Sequence, residues 1–174
     1  MRIDVITIFP ALFGPFLDHS IVARARERGI IDVAVHDLRD YTTDRHRTVD
    51  DAPYGGGPGM VMKPEPWFAA LRDIFGGTEP DEGQREVVLL SPRGEPLTQK
   101  IFEDLKDREQ LTLLCGRYED VDDRVRRGWV TREISLGDYV INGGGIINVA
   151  CEYYGDVDDA GAMALVERIG PRLT

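Results

Sequence analysis

Cysteine is scarce: Cys115 and Cys151 are the two in 174 residues. A disulfide scaffold needs more, and no metal-ligand spacing is present, so neither a cross-linked miniprotein nor a metal centre is expected. Long apolar runs are lacking too. None approaches the ~18 residues of a spanning helix, and no signal peptide precedes the first apolar run. The expectation is a cytoplasmic protein with no membrane association. Positive charge is also short, with 21 Lys and Arg against 31 Asp and Glu, a net charge of −10. That argues against sequence-blind nucleic-acid binding over the whole surface. It leaves room for local patches at Arg24–Arg28, Arg39–Arg47 and Arg124–Arg132, each of which could equally be solvated surface charge. No GxGxxG opens a helix and no Walker lysine motif occurs, which disfavours a classical dinucleotide or triphosphate cradle.

The length fits one domain that can bury roughly 70% of its unfolded surface. Ile3–Phe9 is a short apolar run bounded by Pro10 and suits a buried strand. Pro10–Arg28 has helical spacing interrupted by Gly14 and Pro15, which predicts a bend or two short helices. Strands are expected at 30–38, 86–90, 110–114 and 130–135. Helices are expected at 66–75, 96–108 and 121–127. The alternation of short apolar strands with helices predicts an α/β fold with a mostly parallel sheet flanked by helices. Such folds bind ligands at the carboxyl ends of their strands.

The most informative segment is His46–Met60. Four glycines and two prolines fall within the seven residues Pro53–Gly59. Glycine costs backbone entropy in regular structure and proline removes a donor, so this is a loop. It runs from about Thr43 to Lys63, and ordered loops that long are usually functional. Glycines also follow the later strands. Ser91-Pro92-Arg93-Gly94 follows the third, Cys115-Gly116-Arg117-Tyr118-Glu119 the fourth, and Gly137-Asp138-Tyr139 with Gly143-Gly144-Gly145 the fifth. Glycine permits positive φ and close backbone approach. Backbone loops without a phosphate cradle suit an adenosine-type ligand held by main-chain hydrogen bonds.

In His46–Met60, Cys115–Glu119 and Ile134–Val140 the chain resembles the bacterial tRNA (guanine-N1)-methyltransferases, a family of the trefoil-knot (SPOUT) methyltransferase superfamily. The resemblance spans about residues 1–144 in order and spacing. It implies an α/β sheet whose C-terminal part threads a deep trefoil knot, S-adenosyl-L-methionine bent in that knot, and a homodimer. The implied reaction methylates N1 of guanosine 37 of tRNA, just 3′ of the anticodon. By similarity, Ser91, Pro92, Gly94, Gly116, Tyr118, Ile134, Ser135, Leu136, Gly137, Asp138, Tyr139 and Val140 line the donor pocket. Ile141, Gly143 and Gly144 close it. Arg117, Glu119 and the loop Tyr54, Gly55, Gly56, Gly57, Pro58 and Gly59 hold or order the target base, and Asp50 helps organise the catalytic loop. Loop capping for Asp50, core packing for Tyr118 and Tyr139, and an ordinary surface ion pair for Arg117 are the alternative readings.

The chain also departs from the family pattern. Gly145 stands where the family carries glutamate, and Asp120 where it prefers glycine. After Gly145 the knot helix and its catalytic arginine do not align. The family's general-base aspartate, its linker and its small tRNA-binding domain are not found. The expected organisation is therefore a donor-binding methyltransferase domain over 1–145, a divergent tail over 146–174 and no C-terminal tRNA-binding domain. Two functional readings stay open: an active tRNA methyltransferase, or an impaired or non-catalytic relative that binds S-adenosylmethionine or RNA.

Overall fold

β-branched and leucine runs at Arg2–Thr7 (β1), Asp32–Asp37 (β2), Arg85–Pro96 (β5), Gln110–Cys115 (β6) and Arg132–Ser135 (β7) form one sheet. Two short strands, Asp50–Asp51 (β3) and Val61–Met62 (β4), pair antiparallel outside it. The computed structural model describes residues 1–137 apart from Gly57, Glu79, Asp81 and Glu82. The main sheet has the order β2-β1-β6-β5-β7, and every pairing in it is parallel. All its carboxyl ends therefore lie along one edge.

Alternate residues of the strands enter different cores, as the pleat requires. Val87 and Leu89 join Ile6, Leu114, Trp67 and Leu71 on one face, while Val88 joins Ile101, Leu105 and Ile134 on the other. The helices supply these partners. Pro64–Ile74 (α3) and Asp123–Trp129 (α5) cover the first face, and Gln99–Leu105 (α4) the second. Gly14–Leu17 (α1) and Ser20–Glu27 (α2) follow β1, so the expected bend is present. α3 begins on Pro64 and stops at Gly76 and Gly77, both with positive φ, where its last carbonyls take amides from residues beyond the helix.

A polar cluster crosses the sheet at β1. Asp4 is fully buried and accepts from Arg2 at 2.8 and 2.9 Å, His36 Nε2 at 2.9 Å and Gln110 at 2.8 Å. Burial alone would raise its pKa. The hydrogen bonds from His36, Arg2 and Gln110 outweigh it and hold the carboxyl at about 2.

Two expectations need correcting. The 43–63 segment is not one open loop. Buried Val49 and Met62 anchor it, Lys63 N donates to Val49 O at 2.8 Å, and the β3–β4 pairing closes it to a tip over 52–60. The third main-sheet strand does not end at Leu90. Ile134 of β7 pairs with both Leu90 and Glu95, so 91–94 bulge out of a strand that continues to Pro96. The following helix thus starts at Gln99 rather than Pro96, capped by the Thr98 side chain accepting from Ile101 N. In the Arg124–Arg132 cluster Arg124 pairs with Asp122, Arg126 and Arg127 with Asp123, and Arg132 with Asp104, in line with the surface-charge reading of that cluster.

Candidate functional site

The glycine loop and the strand-end loops meet at the carboxyl edge of β5, β6 and β7. β6 ends at buried Cys115 and Gly116, and the chain turns through Tyr118 at φ +60 and Asp120 at φ +152. Those two non-glycine residues carry the positive φ of this turn. Gly116 does not, and serves close approach instead: a Cβ there would sit 3.2 Å from Val121 Cγ2.

The turn is stitched to the glycine loop by backbone. Glu119 N donates to Met60 O at 3.0 Å, Met62 N to Asp120 O at 3.0 Å, and Asp122 N to Met62 O at 3.1 Å. Arg117 N approaches Met62 Sδ at 3.2 Å. Gly59, at φ +92, lies so close to Glu119 that any Cβ would overlap its side chain. Gly55 and Gly56 also have positive φ, and Gly56 N donates to Pro53 O at 3.1 Å, closing the tip. Pro58 is exposed at that tip.

The remaining loops join the same edge. Ser91 is buried and its Oγ accepts from Arg93 N at 3.2 Å, fixing the start of the bulge, while Pro92 faces solvent. Gly94 presses on β7: a Cβ there would overlap Ile134 N and the carbonyl carbons of Glu133 and Ile134. Ile134 and Ser135 are buried, and Leu136 and Gly137 half-buried. Ser135 Oγ donates to Gly137 O at 3.0 Å and curls the strand end back on itself. The Arg93 guanidinium contacts the Asp120 carboxylate across the two loops. Arg117 lays its guanidinium over the Phe9 ring at 5.1 Å, which brings in the loop after β1. Asp50, half-buried, pairs across β3–β4 with Met62 and lies one strand from the turn. Gly57, Asp138, Tyr139, Val140, Ile141, Gly143, Gly144 and the 146–174 tail lie outside the described residues.

Tyr118 is about half exposed and Tyr54 nearly fully exposed, so neither is a core aromatic. Arg124 is held by Asp122 at 2.9 Å and lies over the Tyr54 ring at 5.7 Å. That pairing keeps the Asp122 carboxyl below its ordinary range. A cavity of about 470 Å³ opens beside these residues, between Tyr41–Asp44, Asp51–Tyr54 and Lys63–Pro66. None of Ser91, Gly116 or Ile134 lines it, so it is separate from the strand-end loops. Among the described residues no cluster of His, Cys, Asp or Glu could hold a metal ion. No described helix is long and apolar enough to cross a membrane.

Sequence reasoning placed these loops at one edge but missed their ties. Phe9 lies beyond the end of β1 rather than within a strand, and the Arg93–Asp120 contact joins residues 27 apart in sequence. The signal was present in one place, because Asp120 stands where glycine was expected and its φ of +152 is a conformation glycine adopts freely.

The sequence profile of the tRNA (Guanine-1)-methyltransferase TrmD family matches residues 1–152. The chain belongs to this family. It is 54% identical over 147 residues to the tRNA (guanine-N(1)-)-methyltransferase of Dictyoglomus turgidum, covering 84% of this chain and 57% of that protein. With its namesake from Heliobacterium modesticaldum it shares 53% identity over 145 residues, 83% of this chain and 54% of the relative. The relative from Pseudarthrobacter chlorophenolicus is 50% identical over 175 aligned residues, covering 98% of this chain and 59% of its own length, so that similarity reaches into 146–174. The chain thus spans somewhat over half the length of these relatives.

Proposed function

We propose that this chain is the donor-binding domain of a tRNA methyltransferase that moves a methyl group from S-adenosyl-L-methionine to N1 of guanosine 37. The observation that carries the reading is the junction of the glycine loop with the turn after β6. Glu119 and Asp120 are bonded to Met60 and Met62, so the segments assigned to base and donor share one edge. A binding module for the donor alone would not need the glycine loop. Family membership and relatives named as tRNA (guanine-N(1)-)-methyltransferases support the same assignment.

The residues present fit an adenosine-type ligand. Gly94 and Gly116 pack closely on Ile134 and Val121, which draws the main chain of the two loops and of β7 together, as main-chain recognition of an adenosine requires. When bound, S-adenosylmethionine supplies an electrophilic methyl group on a sulfonium leaving group. What the protein must add is alignment and proton management. Guanine N1 carries a proton at neutral pH and attacks poorly until it leaves. Negative charge then develops on the guanine oxygen. Arg117 is the cation for that oxygen, carried on the turn that also bears Glu119. Glu119 holds the base beside Tyr54–Gly59, and Asp50 steadies the strand behind the loop. The target guanine must leave its stack, and flat exposed backbone at Gly55, Gly56 and Gly59 gives its face a surface to lie on.

Ser91, Pro92, Gly94, Gly116, Tyr118 and 134–141, with Gly143 and Gly144, complete the donor pocket in this reading, through the trefoil knot and in a homodimer. A tRNA substrate also sets the compartment as the cytoplasm. The test is methyl transfer from labelled S-adenosylmethionine to a tRNA transcript with guanosine at position 37, followed by mass spectrometry of its nucleosides. The expected product is 1-methylguanosine at that site and none in an adenosine 37 transcript. Methylation of another atom or position contradicts the assignment.

A further inference from the structure

Asp120 is the meeting point of three segments. Its carbonyl accepts from Met62 N of β4 at 3.0 Å, its Oδ1 accepts from Val121 N at 2.8 Å, and its carboxylate contacts Arg93 in the bulge of β5. It keeps these partners at φ +152, a conformation that side-chain-bearing residues rarely adopt. Such backbone persists only where surrounding interactions over-determine it. The Asp120 side chain is 18% exposed against 61% for Arg93, so the carboxylate is the anchored member and the guanidinium reaches to it. Arg93 itself hangs from a fixed point, because its amide donates to Ser91 Oγ.

We propose that Arg93 and Asp120 are a positioning pair. They clamp the bulge of β5 to the turn after β6 and thereby fix the spacing of Ser91–Gly94 from Gly116–Glu119. Glycine at 120 would relax the backbone and remove the clamp. Aspartate gives up that freedom and gains a cross-loop bond between the two walls assigned to the methyl donor. The proposal rests on the function proposed above for these walls. Neither residue touches the reacting atoms, so the pair acts on donor affinity rather than on chemistry.

Two measurements on the whole chain test it. Calorimetric titration with S-adenosylmethionine compares wild type, Arg93→Ala, Arg93→Lys, Asp120→Asn and the Arg93→Ala/Asp120→Asn double variant. A clamp predicts that each of Arg93→Ala and Asp120→Asn weakens binding about two- to fivefold, the scale of an ion pair of this exposure. The double variant should be no worse than either, and Arg93→Lys should recover part of the loss, which general damage to folding would not produce. Amide NMR spectra of the ligand-free chain supply the second readout. Arg93→Ala should shift the amides of 116–121, and Asp120→Asn those of 91–94. Additive losses, or affinities of both single variants equal to that of wild type, overturn the pair's role in binding. If wild type takes no S-adenosylmethionine, the functional reading fails, and so does the assigned purpose of the pair. Absent cross-loop amide shifts overturn the clamp itself, whatever the donor does.

Discussion

Gly94→Ala probes the join between the β5 bulge and β7. An alanine Cβ would overlap three backbone atoms, Ile134 N, Glu133 C and Ile134 C, and backbone cannot rotate away as a side-chain tip can. Ile134 is also pinned from both sides, since it pairs with Leu90 and with Glu95. Relief therefore requires β7 to move from its register or the bulge to lift. Overpacking of this kind costs about 1–3 kcal/mol. For a chain of this length each kcal/mol lowers Tm by about 2–4 °C, so a loss of about 2–12 °C is expected in a thermal melt. The shift displaces Ser135–Gly137 as well, so donor affinity should fall with stability. Gly128→Ala is the control. It lies in α5 with no atom within 4 Å of the added Cβ, and alanine in a helix should be neutral or stabilising by up to about 1 kcal/mol. A Gly94→Ala melt within about 1 °C of wild type would refute the close approach of bulge and strand.

Other perturbations read other parts of the fold. Asp4 is held at about 2 against an unfolded value near 3.8, so its ionised form stabilises the native state above pH 4. That contribution, about 2 kcal/mol, should disappear between pH 4 and pH 2, and denaturant titrations of Asp4→Asn should lack this acid-side slope. Burial pushes the Cys115 thiol up to about 12, so peptide mapping after alkylation of native protein at pH 8 should find Cys115 unmodified; rapid labelling would contradict its burial. Trp67 is fully buried, and its Nε1 finds no partner among the described residues. Trp67→Phe should then cost less than about 1.5 kcal/mol in chemical denaturation, against about 3–5 for Trp67→Ala. Equal losses would contradict the close packing of the ring at this site.

The elements were legible where one physical cause dominates. Leucine, isoleucine and valine runs bounded by Gly and Pro became parallel strands, because helices cover both faces of the sheet. Illegible features depend on contacts distant in sequence. Pro92 falls within 91–94, which bulge out of β5 between Leu90 and Glu95 so that no donor is needed there, and Pro96 is the last residue of the strand, opposite Ser135. β3 and β4 have two residues each, too short for any periodicity, and exist because Val49 and Met62 are buried. The glycine loop announced itself through composition. Its attachment to the turn after β6 could not be read, since backbone-to-backbone bonds such as Glu119 N to Met60 O leave no mark on residue identity. The one exception is Asp120, where a residue unsuited to its φ marks the strained turn.

The central claim is tested most directly by a crystal structure of this chain grown with S-adenosylhomocysteine. Its nucleoside should lie against the main chain of Ser91–Gly94, Gly116 and Ile134–Gly137, with Arg93 still on Asp120. Density for it in the separate cavity beside Tyr41, Tyr54 and Lys63, with the strand-end loops untouched, would contradict the account.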